Sequence, residues 1–157
     1  MMPIQLRKAS MEDCTLIHQM QVASFRALLE KYHDMDTNPG AEPLSRVVER
    51  MEQSFTDYYF IELDQAQIGV IRVIHRAEDV CGVAPIFVLP EYQGNGYAQE
   101  AMLAAERLYP KAALWQLSTI LQEEKLCHLY EKLGYNRTGE WKSIQPGMDI
   151  VYYEKKK

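Results

Sequence analysis

The stretch Ile86-Phe87-Val88-Leu89-Pro90-Glu91-Tyr92-Gln93-Gly94-Asn95-Gly96-Tyr97-Ala98 carries an apolar strand pattern through a glycine-bearing turn into a helix. Glycines at 94 and 96 permit backbone dihedrals that a side chain disfavours, and they let an anion approach the main-chain amides. Asn95-Gly96 taken alone is a hairpin dipeptide. Beyond it, however, Ala98, Ala101, Met102, Ala105 and Leu108 recur at helical spacing, so the turn opens a helix and does not return a strand. A helix starting there offers unpaired N–H groups and the positive end of its macrodipole, both suited to a pyrophosphate. Other phosphate-binding turns fit less well. Gly96-Tyr97-Ala98 lacks the Gly-Lys-Ser/Thr of a P-loop, and Gln99 stands where a dinucleotide fingerprint has its third glycine, with no acid in Leu114–Ile120 to hold a ribose.

A second motif lies in Gln122-Glu123-Glu124-Lys125-Leu126-Cys127-His128-Leu129-Tyr130-Glu131-Lys132-Leu133-Gly134-Tyr135, where Leu126, Leu129, Tyr130 and Leu133 share a helical face closed by Gly134. By composition this is a core stripe, and Tyr130 a buried tyrosine. In the two segments together the chain resembles the GCN5-related N-acetyltransferases: Gln93, Gly96 and Ala98 fall in register with that family's acetyl-CoA signature. The segment Leu129–Gly134 is similar to its later helix, whose tyrosine protonates the departing CoA thiolate.

The resemblance implies a mixed α/β (α+β) fold: a mostly antiparallel sheet of about six to seven strands, about four helices, and a bulged fourth strand splayed from the next to admit the pantetheine arm. It implies acetyl-CoA as co-substrate, bound by Phe87, Val88, Gln93, Gly94, Asn95, Gly96, Tyr97 and Ala98, with amides near Phe87 and Val88 holding the thioester oxygen and Tyr130 as general acid. The reaction is then direct attack of a primary amine of a small molecule or peptide on the thioester. Glu123 departs from the family, which often has Asn there, and Leu126 replaces a small residue. An alternative of another class is a non-catalytic acyl-CoA-binding regulatory module. Glu62, His75, Glu78 and Asp79 are candidate bases without a distinguishing pattern, and a Cys81 nucleophile beside His75 is not needed for direct transfer.

At 157 residues the chain fits one domain, 1–157, able to bury its core without disulfides or metals. A net charge of -5 disfavours a nucleic-acid surface and suits a cationic amine. Cys14, Cys81 and Cys127 read as reduced core thiols, and four histidines lack metal-ligand spacing, so no metal is expected. With no signal-like segment at residues 1–10 and no membrane-span run, the expected location is cytoplasmic and no membrane partner is expected, with room for a homodimer.

Outward from the two motifs, a strand over 4–8 and a Ser10/Asp13 capping box precede a helix carrying Leu16, Ile17, Met20, Ala23, Ala27 and Leu28 and ending near Lys31. The polar loop Tyr32–Gly40 is expected to select the acceptor, with Tyr32, His33 and Asp34 as candidates. A second helix is expected over Leu44, Val47, Val48, Met51 and Phe55. Strands follow at 58–63, 68–74 and 81–89, the last with a bulge or a sheet edge at Pro85, then a helix over 97–109, a strand over 113–119 and a helix over 123–133. Two strands at 135–142 and 148–154 precede a frayed Lys155–Lys157.

Overall fold

The computed structural model describes residues 4–157. Met1–Pro3, part of the N-terminal segment read above, lie outside them. Among the described residues one seven-stranded sheet runs β1-β2-β3-β4-β5-β7-β6, with β1 Ile4–Lys8, β2 Thr56–Leu63, β3 Ala66–Ala77, β4 Val80–Val88, β5 Leu114–Ile120, β6 Asn136–Gln145 and β7 Met148–Lys156. The helices are α1 Cys14–Tyr32, α2 Leu44–Glu52, α3 Tyr97–Leu108 and α4 Glu124–Lys132. All neighbours pair antiparallel except β4 and β5, which are parallel because α3 carries the chain back across the sheet between them.

Strand alternation divides the core. Ile61, Ile71, Val73, Val83, Trp115, Leu117, Val151 and Tyr153 face one side, where Ala101, Met102 and Ala105 of α3 and Cys127 and Tyr130 of α4 pack on them. Tyr58, Phe60, Val70 and Phe87 face the other, under Ile17 and Met20 of α1 and Val47 of α2. Burial of each large apolar side chain contributes about 1.5–3 kcal/mol, so the apolar stripes of two helices on each face suffice to seat all four on one sheet.

Local signals hold at the start of α1: the Asp13 carboxylate accepts from the Ser10 amide at 2.9 Å and opens a short 3-10 turn before the helix. Two expectations are corrected. Phe55 lies beyond α2, which ends at Glu52, and is exposed, because the chain turns there into β2. The terminal lysines are not frayed: Lys155 and Lys156 extend β7, the Lys157 amide donates to the Ala113 carbonyl at 2.8 Å, and the Lys155 and Lys157 ammoniums hold the buried Glu106 carboxylate at 3.0 and 2.8 Å. A carboxylate left alone at that depth would be costly, so the tail lysines are part of the core's charge balance.

Candidate functional site

Gly94 and Gly96 both adopt the left-handed region, at φ 83° and 81°, and Gly96 is the N-cap of α3. A Cβ built on either glycine meets no protein atom within 4 Å, so the turn borders open space on its ligand side. The Gln93 side-chain amide donates to the Val88 carbonyl at 2.8 Å, and that of Asn95 donates to the Tyr92 carbonyl at 3.1 Å. These side chains brace the turn and leave main-chain amides for the ligand. The first hydrogen bond within α3 runs from the Glu100 amide to the Gly96 carbonyl. The N–H groups of Tyr97, Ala98 and Gln99 precede it, beside the open turn. Such a cradle fits a pyrophosphate.

The strand leading into the turn is bulged. Ile71 pairs with Ile86 and Val73 with Val83, so Arg72 alone faces Ala84 and Pro85. Arg72 is buried and donates to the Ala84 carbonyl at 2.8 Å, the Thr56 hydroxyl at 2.8 Å and the Gln53 side-chain carbonyl at 3.0 Å. Burial pushes its guanidinium down to about 10. On the far side, β4 pairs with β5 only over Val80–Gly82, and past the bulge the two strands part. The amide of Leu89 donates to the Ile68 carbonyl, so ladder alternation turns the Phe87 N–H toward β3 and the Val88 N–H toward the opening beside β5. Of the two amides expected at this point, Val88 is the one that faces the splay.

Tyr130 is buried on α4, its ring 6.2 Å from that of Tyr135 and 6.4 Å from that of Tyr153. Burial pushes the phenol up to about 12. Among the described residues no group hydrogen-bonds its hydroxyl, and the hydroxyl is not among the fully buried unpaired atoms. Seven residues earlier, at the N-cap of the same helix, Glu123 accepts from the Tyr32 hydroxyl at 2.5 Å and from Lys31 at 2.7 Å. Burial works against the Glu123 carboxylate's charge, but these two donors outweigh it and hold the group below its ordinary range. Gln145 of β6 also donates to the Tyr32 carbonyl at 2.7 Å. The end of α1 is thus tied to both the β5–α4 junction and the β6–β7 hairpin.

The three acceptor candidates therefore separate. Tyr32 belongs to this tie, and His33, in the left-handed region at φ 54°, ends α1 with an exposed side chain. Asp34 is buried, and its carboxylate accepts from the amides of Asp36 and Thr37 and from the Thr37 hydroxyl, so it shapes its own loop and presents nothing to a ligand.

The sequence reading missed a groove of about 430 Å³ at the divergence of β4 and β5. Val83 and Ala84 form one wall; Gln116 and Ser118 of β5, Tyr152 and Glu154 of β7 and Glu140 of β6 form the other. Alternation could have marked 116, 118, 152 and 154 as one face, but only the order β5-β7-β6 makes them neighbours. Among the described residues neither Glu140 nor Glu154 has an ion-pair partner, whereas Arg76, also at the groove, is bonded to Gln116 at 3.0 Å.

The candidate bases lie elsewhere. Glu62 is paired with Arg7 at 2.6 Å on the β1–β2 side, and Glu78 and Asp79 sit exposed in the β3–β4 turn. His75 pairs in register with Cys81, six residues and about 20 Å along β4 from Phe87. Its ring bonds Asp57 at 2.9 Å and approaches the Cys81 sulfur at 3.8 Å, while burial pushes that buried thiol up, away from nucleophilic use.

The chain matches the Acetyltransferase (GNAT) family over residues 23–135. It is 27% identical over 146 residues to the spermidine N(1)-acetyltransferase of Escherichia coli (strain K12), covering 87% of this chain and 75% of that protein. The fold is shared with a spermidine N-acetyltransferase from Vibrio cholerae solved with CoA and spermine, at TM-score 0.75, 19% identity and coverage of 97% and 94% of the two chains. It is shared equally with an N-acetyltransferase from Thermoplasma acidophilum solved with coenzyme A, at TM-score 0.73, 19% identity and coverage of 99% and 100%. The comparisons give no support to a non-catalytic binding module. A glycine-bearing turn opening a helix, a bulged strand parting from its parallel neighbour and a match over most of the chain converge on one conclusion: the chain belongs to the GNAT acetyltransferase family and is an acetyl-CoA-dependent N-acetyltransferase of amines.

Proposed function

We propose that the acceptor is a small polyamine carrying more than one cationic nitrogen. The observation that carries this reading is the groove at the β4–β5 divergence, walled by the carboxylates of Glu140 and Glu154. Direct transfer needs a neutral amine, and amines are protonated at neutral pH. A polyamine meets both demands: one nitrogen stays charged against Glu140 and Glu154 while another, deprotonated, reaches the bulged strand. The acidity of the chain, with pI near 5.4, supports recruitment of such a cation, as do the spermidine acetyltransferase relatives.

Acetyl-CoA supplies the acetyl group already activated as a thioester. In this reading the turn from Gln93 to Ala98 holds the pyrophosphate and the Val88 amide donates to the carbonyl oxygen as it gains charge. The Tyr130 hydroxyl gives its proton to the departing sulfur, the nitrogen sheds one to solvent as it is acylated, the phenolate recovers a proton from solvent, and exposed His33 borders the acceptor's path. Residues 1–157 act as one domain, and a cytoplasmic location fits a metabolite substrate.

The test compares initial rates of thiol release with spermidine, a diamine, butylamine and a short peptide with a free N-terminus. Spermidine is expected to exceed butylamine in kcat/KM by at least roughly tenfold, about 1.4 kcal/mol of transition-state stabilisation, and Glu154→Gln to shrink that gap. Equal kcat/KM for butylamine, or preference for the peptide, would overturn the polyamine assignment.

A further inference from the structure

Arg76 leaves β3 and lies flat against Gly82 of β4, where a Cβ built on the glycine would sit 2.6 Å from the Arg76 Nε. The missing side chain at 82 is the room the guanidinium occupies. From there it donates to the Gln116 side-chain carbonyl of β5 at 3.0 Å. Gly82 and Gln116 are the last residues that β4 and β5 pair before they part. One cationic side chain thus bridges three strands at the closed end of the groove that Glu140 and Glu154 wall. Arg76 is exposed, and among the described residues no carboxylate forms an ion pair with it, so its charge faces the groove uncompensated.

We propose, resting on the polyamine reading of this groove, that Arg76 is its stop: a fixed cation that keeps a further ammonium out and so limits the length of acceptor the enzyme uses well. In that reading the reacting nitrogen meets the Val88 amide. Val88 pairs with Gly69 and Gly82 with Ile74, so the two ends of the groove lie five residues of β3 apart, roughly 17 Å. An extended chain advances about 3.8 Å for every three bonds. A triamine of nine bonds between its end nitrogens, such as spermidine, therefore spans roughly 11 Å, and a tetramine of thirteen, such as spermine, roughly 16 Å. The far ammonium of the triamine stops roughly 6 Å short of Gly82, whereas that of the tetramine arrives at the Arg76 guanidinium. Glu154 lies one strand further over, opposite Gln116, so a chain following the gap between β4 and β5 meets the cation first. Like charges brought that close repel.

Initial rates of thiol release with spermidine, spermine and butylamine, for wild type, Arg76→Gln and Arg76→Lys, test the assignment. Wild type is expected to favour spermidine over spermine in kcat/KM by at least roughly fivefold. Arg76→Gln, which removes the charge and keeps a donor for Gln116, should bring that ratio to about one, and Arg76→Lys, which keeps the charge, should hold it near the wild-type value. Circular dichroism melts report whether each exposed-site variant is folded. A purely structural role for Arg76 would change both acceptors alike and leave the ratio where it was. Equal use of both polyamines by wild type, an unmoved ratio in Arg76→Gln, or the same loss in Arg76→Lys would each overturn the stop. Butylamine separates the two levels: spermidine no better than butylamine would overturn the polyamine assignment and the stop together, whereas spermidine well above butylamine with a ratio indifferent to Arg76 would overturn the stop alone.

Discussion

The guanidinium of Arg72 reaches across the β3–β4 pairing to the carbonyl of Ala84, 2.8 Å away, at the point where β4 leaves the regular ladder. Its other two bonds fix the same side chain to Thr56 and Gln53, so a residue on β3 sets the shape of the neighbouring strand that leads into the turn from Gln93 to Ala98. Arg72→Met leaves those acceptors unpaired, at a cost of about 1–3 kcal/mol, and is expected to lower Tm by roughly 3–9 °C. kcat should fall with it. Calorimetry with steady-state kinetics checks this; a lowered Tm with unchanged kcat would mean that the bulge does not need Arg72 to serve the reaction.

Gly96→Val places a branched side chain in a left-handed conformation, which costs about 1–2 kcal/mol. Its Cβ projects into the open side of the turn. The variant is expected to stay folded and to lose CoA binding by at least roughly a hundredfold, read by titration calorimetry. Unchanged affinity in a folded Gly96→Val protein would remove the turn from the binding site.

Tyr130→Phe keeps the ring contacts with Tyr135 and Tyr153 and removes only the hydroxyl. If the phenol donates the proton, kcat falls roughly ten to ten thousandfold with CoA binding retained. Because burial raises the phenol to about 12, Tyr130 remains protonated through the assayable alkaline range, and any activity loss near pH 9 must belong to another group. Wild-type kcat in the variant, with chemistry limiting turnover, would end the catalytic reading.

Tyr32→Phe breaks the 2.5 Å bond to Glu123 while Lys31 keeps the carboxylate paired. Acceptor kcat/KM is expected to change several-fold, with the CoA dissociation constant moving less. Kinetics in both substrates decides it. A shift confined to CoA would assign Tyr32 to the cofactor side of the cleft.

Asp57 accepts from His75 at 2.9 Å, Lys8 at 3.1 Å and Tyr109 at 2.9 Å. Burial alone would raise its pKa, but the hydrogen bonds from His75, Lys8 and Tyr109 outweigh it and hold the carboxyl below its ordinary value. A depressed folded pKa contributes stability above the unfolded value, near 4, and loses it as pH falls through the folded value. Melts from neutral pH to about pH 3 should therefore show wild type more stable than Asp57→Asn above pH 4, with the gap closing below it. A gap that does not depend on pH would contradict the charge-based account.

The sequence by itself determined the elements whose cause is local. Residues 86 to 98 specify a strand, two left-handed glycines and a helix start within thirteen residues, and the stripe from Leu126 to Leu133 closed by Gly134 specifies α4 with Tyr130 on its buried face. Pro85, with no N–H to give the ladder, marked a bulge or an edge, and the place of β4 inside the sheet makes it a bulge. Only the tertiary structure decided which strands lie side by side. Hydrophobic period says which face of a strand is buried and nothing about its neighbours. Hence the groove joining Ala84, Ser118, Glu140 and Glu154, the bond between Tyr32 and Glu123 across 91 residues, and the burial of Glu106 against the last lysines could not be read along the chain. The same holds for the choice between the Phe87 and Val88 amides: alternation makes them face opposite ways, but it takes the registration of β4 on β3 to say which one is left for a ligand.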